Sequence, residues 1–169
     1  MKEPFIDIYD RFYHDVYRYT YMKIGNKWDT DDVVSEIFRK AFERYASLKK
    51  QSNAKAWLIT IARNTIVDFY RKKKDALVGE EMEKLVEPGS FEEQLEQEDD
   101  LNCLKKALAF LPEEDQELIK LRYIAELKFQ EIMELVGKSE DAIKVRVHRL
   151  IKKMGVLVKH CLEGVNPGG

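Results

Sequence analysis

The run FQEIMELVGKSEDAIKVRVHRLIKKM, residues 129–154, admits few folds. Phe129, Ile132, Met133 and Val136 recur at i, i+3, i+4 and i+7, which predicts a short helix with one apolar face. Gly137 follows where a helix stop needs a left-handed residue. Ser139 can cap the next helix, with Glu140 and Asp141 in its first turn, where the peptide dipole favours acid. In that second helix Ile143, Val147, Leu150 and Met154 share a face. At about 100° per residue the opposite face carries Asp141, Val145, His148, Arg149 and Lys152, flanked by Lys144 and Arg146. An apolar back, a basic front and a glycine turn to a preceding helix make a helix-turn-helix pattern, built to enter a DNA groove. An amphipathic hairpin with a solvated basic face has the same wheel.

The rest of the composition suits a helical chain. Four prolines and eight glycines occur in 169 residues, with 44% hydrophobic and 36% charged content. Cys103 and Cys161 lie far apart and form no CxxC pair, which argues against a disulfide framework or a thiolate metal site and fits a reducing compartment. The start MKEPFIDIYD is too polar for a signal peptide, and no apolar run of about 18 residues offers a membrane span, so a cytoplasmic protein without direct membrane insertion is expected. The net charge of −2 hides an asymmetry. Residues 1–75 hold 16 basic against 11 acidic side chains, residues 76–100 one against 10, and residues 101–169 12 against 10.

Taken in order, residues 5–27 place Phe5, Ile8, Tyr9, Phe12, Tyr13, Val16 and Tyr19 at helical spacing, ended by Gly25 and Asn26. Residues 28–48 predict a second helix capped by Asp29 or Thr30, with Val34, Ile37, Phe38, Ala41, Phe42 and Tyr45 inward. A third runs over 54–74, capped by Ser52 or Asn53. Leu58, Ile61, Ala62, Thr65 and Phe69 form its buried face. Thr60, Asn64, Val67 and Arg71, bordered by Trp57 and Asp68, form another. An amide, an aromatic ring and a terminal Arg-Lys-Lys-Lys run suit single-stranded nucleic acid, although a core Trp57 and a dipole-complementing basic end explain the same residues. Residues 76–100 read as an acidic tether. A helix over 101–110 follows, then one with Pro112 in its first helical position, then the helix-turn-helix. After Gly155 a frayed helix and tail are expected.

These segments together resemble the extracytoplasmic-function (ECF) sigma factors of bacterial RNA polymerase. TDDVVSEIFRKAFERY is similar to the family's core-polymerase-binding helix, KAWLITIARNTIVDFYRKKK to its promoter-melting helix, and LPEEDQELIKLRYIAELKFQEIMELVGKSEDAIKVRVHRLIKKM to its fourth conserved region. The resemblance implies an all-α fold of two small helical domains joined by an acidic flexible linker. Residues 1–75 would bind core polymerase and capture the −10 element. Residues 76–100 would be linker, 101–160 the −35-reading domain and 161–169 a tail. It assigns clamp binding to Asp32, Val33, Val34, Ser35 and Glu36, with Ser35 where the family commonly has Gln. It gives −10 recognition to Asn64, beside Trp57, Asp68 and Arg71. It gives −35 reading to Lys144, Val145, His148 and Arg149, with Ser139 at the helix start and Arg146 on phosphate. Val145 would meet a thymine methyl. The partners implied are RNA polymerase core, promoter DNA and an anti-sigma factor.

No phosphate-binding glycine loop, HExxH or nucleophile elbow occurs, and Asp31, Asp32 and Glu36 read as a charged helix start rather than a metal or catalytic group. Neither an enzyme nor a cofactor is expected. The competing expectation is a dimeric helix-turn-helix regulator, which would bind a palindromic duplex alone. A sigma factor with its two ends on a tether would bind promoters poorly alone and well with core polymerase.

Overall fold

The computed structural model describes residues 3–49, 53–76 and 99–164. Every regular element among them is a helix. The first module holds α1 (Phe5–Ile24), α2 (Lys27–Arg44) with a trailing 3-10 turn (Tyr45–Ser47), and α3 (Ala54–Ala76). The second holds α4 (Asp99–Phe110), α5 (Glu113–Ile119) running into a π turn (Lys120–Ile124), α6 (Phe129–Val136) and α7 (Glu140–Leu162). Of the expected tether, residues 77–98 lie outside the described residues, as do 50–52 of the loop before α3 and 165–169 of the tail. Asp99 and Asp100, expected in the tether, begin α4.

Helix boundaries follow local chemistry. Gly25 closes α1 with φ 91°, a conformation that costs a side-chain-bearing residue about 1–2 kcal/mol. The cap of α2 is Asn26, not Asp29 or Thr30: its Oδ1 accepts from the Asp29 N–H at 2.8 Å, and the Thr30 hydroxyl donates to the Asn26 carbonyl at 2.6 Å. One asparagine thus ends one helix's connection and starts the next. Asn53 caps α3, accepting from the Ala56 N–H at 3.0 Å. Pro112 is the residue before α5, not its first helical residue.

In the first module α1, α2 and α3 pack around Ile8, Val16, Tyr19, Val34, Ile37, Leu58, Ile59 and Ala62. The aromatic side chains of α1 lie half-buried along α2: Tyr9 and Tyr13 sit 4.7 Å and 5.7 Å from Phe38, and Phe5 sits 5.3 Å from Phe42. In the second module α4 lies along α7, and α5 and α6 close the core with Leu118, Leu121, Leu127, Ile132, Ile143 and Leu150.

Two expectations need correction. The chain does not fray after Gly155: α7 continues to Leu162, so position 161 belongs to a helix and not to a tail. Cys103 on α4 and Cys161 on α7 are joined by a disulfide, because the fold brings together two positions separated by 58 residues. The expected two helical domains are present, and they touch. α1 touches the π turn and α3 touches α6, and the buried apolar cluster runs through both modules.

Candidate nucleic-acid interface

On α3 the strip Thr60, Asn64, Val67 and Arg71 is exposed, spaced over about 16 Å of helix. Burial of Leu58, Ile59, Ile61, Ala62, Thr65 and Ile66 against α1 and α2 forces these residues outward. The Asn64 amide is unbonded among the described residues, so its donors and acceptor are open to a base edge. The bordering residues are less free. Trp57 is half-buried against the core. Asp68 pairs with Lys40 at 3.7 Å and with Arg71 at 3.5 Å, so Arg71 shares its charge with a neighbour one turn away.

On α2 the five clamp candidates split. Asp32 and Ser35 are exposed and Glu36 half-exposed, but Val33 and Val34 are 3% and 2% exposed and belong to the module core. The helical wheel explains this: consecutive residues 100° apart cannot all face out, and the valines take the side of Ile37, Phe38 and Ala41. Arg39, bonded to Glu36 at 2.9 Å and to Glu43 at 2.5 Å, extends the outward charged row and holds the Glu36 carboxyl below its usual range.

The helix-turn-helix forms as the pattern demands. Gly137 takes φ 73° after α6, and the Ser139 hydroxyl accepts from the Ala142 N–H at 3.2 Å to start α7. The Ser139 oxygen is therefore engaged at the cap. The Glu131 carboxylate accepts from the Lys128 N–H at 2.7 Å, supplying a cap that Lys128 itself lacks. Ile143, Val147, Leu150 and Met154 are buried, which leaves Lys144, Val145, Arg146, His148 and Arg149 exposed. His148 and Arg149 are unpaired among the described residues. Lys144 reaches Glu140 at 3.1 Å and lies 5.9 Å from the Phe129 ring.

Arg146 also has a partner within its own module. Its Nε sits 2.5 Å from Asp115, a carboxylate buried at the start of α5, which ties the reading helix to the rest of the module. The pairing raises the Arg146 pKa further. A nearby cavity of about 620 Å³ is lined by Lys138, Asp141, Arg146 and Arg149. Nothing in sequence spacing marks Asp115 as the partner of an arginine 31 residues on.

The seam between the modules was also missed. Glu117 on α5 accepts from the Tyr19 hydroxyl at 2.5 Å, pairs with Lys23, and lies 3.4 Å from Arg63. Burial and this carboxylate push the Tyr19 hydroxyl's pKa up. Arg63 donates to the Leu135 carbonyl at 3.1 Å, and Lys55 to the Glu126 carbonyl at 3.0 Å. Glu126 holds φ 56°, a left-handed turn that aims its carbonyl at α3. Burial, then Lys23, lowers the pKa of Lys120 nearby. The seam leaves both reading strips exposed. No group of His, Cys, Asp and Glu among the described residues is placed to hold a metal, and no helix among them is long and apolar enough to cross a membrane.

Exposed strips on α3 and α7 are compatible with contact to DNA, and comparison with known proteins supplies the family. Residues 8–76 match the family description for sigma-70 region 2, and residues 101–154 that for sigma-70 region 4. The chain is 30% identical to the RNA polymerase sigma factor SigV of Bacillus subtilis (strain 168) over 84% of its own length and 83% of that protein. It is 30% identical to the ECF RNA polymerase sigma factor SigW of the same organism, over 88% and 85%. It is 29% identical to the ECF RNA polymerase sigma factor BldN of Streptomyces coelicolor over 92% of its length, but spans only 61% of BldN. The fold matches CnrH in its complex with the cytosolic domain of CnrY (TM-score 0.64, 21% identity, 92% of this chain and 87% of that one). It also matches RpoE bound to the anti-sigma factor NepR from Bartonella quintana (TM-score 0.62, 23% identity, 90% and 97%).

The chain belongs to the ECF RNA polymerase sigma factors. It is an alternative sigma factor of transcription initiation, a class of DNA-binding factors that are not in general catalysts, and the dimeric-regulator alternative is not favoured.

Proposed function

We propose that this sigma factor docks on core polymerase through the outward row of α2, captures the −10 element of the separated strand on α3, and reads the −35 element with α7. The carrying observation is the exposure of both strips: Thr60, Asn64, Val67 and Arg71 on one module, Val145, His148 and Arg149 on the other. Polymerase contact falls to Asp32, Ser35 and Glu36, since Val33 and Val34 are spent on the core. Asn64 holds a base flipped from the stack, at a cost of a few kcal/mol that pocket contacts offset without ATP. Lys144, His148 and Arg149 meet base edges and phosphate, and Val145, 49% exposed, meets a thymine methyl. Arg146 positions α7 through Asp115 before it touches any phosphate.

The protein works in the cytoplasm, where polymerase and promoter DNA are, and an anti-sigma factor restrains it, as the partners named for the CnrH and RpoE structures support. Run-off transcription with core polymerase and a promoter library tests the assignment. Asn64→Ala should impair opening on duplex promoters, relax −10 preference, and leave preformed bubbles comparatively active. Unchanged −10 preference would remove Asn64 from the site and leave family membership standing.

A further inference from the structure

The last two turns of α7 are poorly supported by ordinary packing. Gly155 interrupts the helix with a residue that disfavours it, and its missing side chain faces open space. Beyond it Val156 and Leu162 are exposed, Leu157 is buried and Val158 packs partly against the core. On the flank shared with α4 an apolar groove of about 650 Å³ is lined by Leu101, Leu104, Ile151 and Val158. The Cys103–Cys161 bond crosses from α4 to α7 at this end. Cys103 is buried and Cys161 half-buried.

We infer that Cys103 and Cys161 are a reversible redox staple: oxidation holds the end of α7 on α4, and reduction releases it. Reversibility rests on the proposed cytoplasmic place of work, where lasting disulfides are rare and those that form are commonly transient or redox-sensing. A low-molecular-weight disulfide such as oxidised glutathione is the oxidant. The more accessible Cys161 thiolate attacks one of its sulfurs, forming a mixed disulfide and expelling one small thiolate. The Cys103 thiolate then attacks the Cys161 sulfur and expels the second. The protein loses two protons and two electrons, and the oxidant leaves as two thiols. Reversal by excess thiol frees the helix end, while Ile143, Val147, Leu150 and Met154 keep the reading half of α7 in place.

The test uses the full chain equilibrated in glutathione buffers of graded ratio, with thiol alkylation read by mass and amide exchange read by peptide. Both thiols should disappear together in the monomer. On reduction, exchange in residues 156–162 should quicken about tenfold or more while residues 143–150 change little. Cys161→Ser, and independently Cys103→Ser, should exchange at 156–162 like the reduced parent in every buffer, with Cys103→Ser stopping at the mixed disulfide on Cys161. Gly155→Ala should shrink the difference between the two redox states. Two thiols that stay free in oxidised glutathione, a bond that forms only between chains, or equal exchange at 156–162 in both states would each overturn the inference. None of these measurements involves polymerase or promoter, so failure of the promoter assignment does not alter their meaning.

Discussion

The two helices proposed to meet DNA, α3 and α7, expose very different surfaces. α3 is clasped by α1 and α2, and what remains outside is a narrow strip whose centre is uncharged: Thr60, Asn64 and Val67. α7 rests on its module with one apolar face and exposes the rest, a broad surface with Lys144, Arg146, His148, Arg149 and Lys152. A neutral amide strip contributes little long-range attraction but can discriminate a base delivered to it. A broad basic surface gathers phosphate first and reads edges second. Under the proposed function, base discrimination would fall mainly to the α3 strip and phosphate attraction on the duplex mainly to α7. The seam joining them combines apolar contact with polar pairs, and each polar group it ties up regains water when the modules part.

The sharpest way to break this contrast is to remove the support of the reading surface. Leu150→Ala, at a buried position of α7, should cost about 2–5 kcal/mol of stability in thermal unfolding and abolish −35 selection together with it. Arg149→Ala should leave stability nearly unchanged and weaken −35 selection by about 1–3 kcal/mol, with a shallower salt dependence in competition binding. An equal effect on all sequences would make Arg149 a phosphate contact. Glu117→Gln keeps an acceptor for Tyr19 but strips the charge shared by Lys23 and Arg63. It should shift the modules toward separation by about 1 kcal/mol, read as longer distances between dyes placed on α2 and α7. Unchanged distances would show that apolar contact, not Glu117, holds the seam.

The smallest effect concerns acid. Partial burial opposes ionisation of Asp29, but bonds from Asn26 and Lys73, the latter at 3.0 Å, outweigh it and hold its pKa below the usual carboxylate value. A carboxyl depressed on folding stabilises above its unfolded pKa of about 3.9 and loses that contribution as pH falls through the folded value. Asp29→Asn should therefore be less stable than the parent near pH 6 by about 0.5 kcal/mol, a figure discounted for solvent screening. The gap should close below about pH 4 in parallel acid titrations followed by circular dichroism.

Periodicity and end signals determined most of the local structure. Gly25, Asn53, Gly137 and Ser139 each act within a few residues of their own position, so the helices and the two outward strips were legible before any packing was known. Pairing at a distance was not. Asp115 and Glu117 look like the other acids around them in sequence, and only the crossing of α5 with α7, α1 and α3 gives them Arg146 and the Tyr19–Lys23–Arg63 group. The wheel placed Val34 inward, yet a linear motif match claimed it, with Val33, for a partner; packing on α1 and α3 took both. Cys103 and Cys161 carry no spacing signal, and their bond exists because α4 and α7 run side by side. Local stereochemistry is written into neighbouring residues, whereas long-range proximity is a property of the folded chain. For that reason the sequence alone determined that two helices carry outward polar strips, and the tertiary structure decided what holds each of them and what joins them.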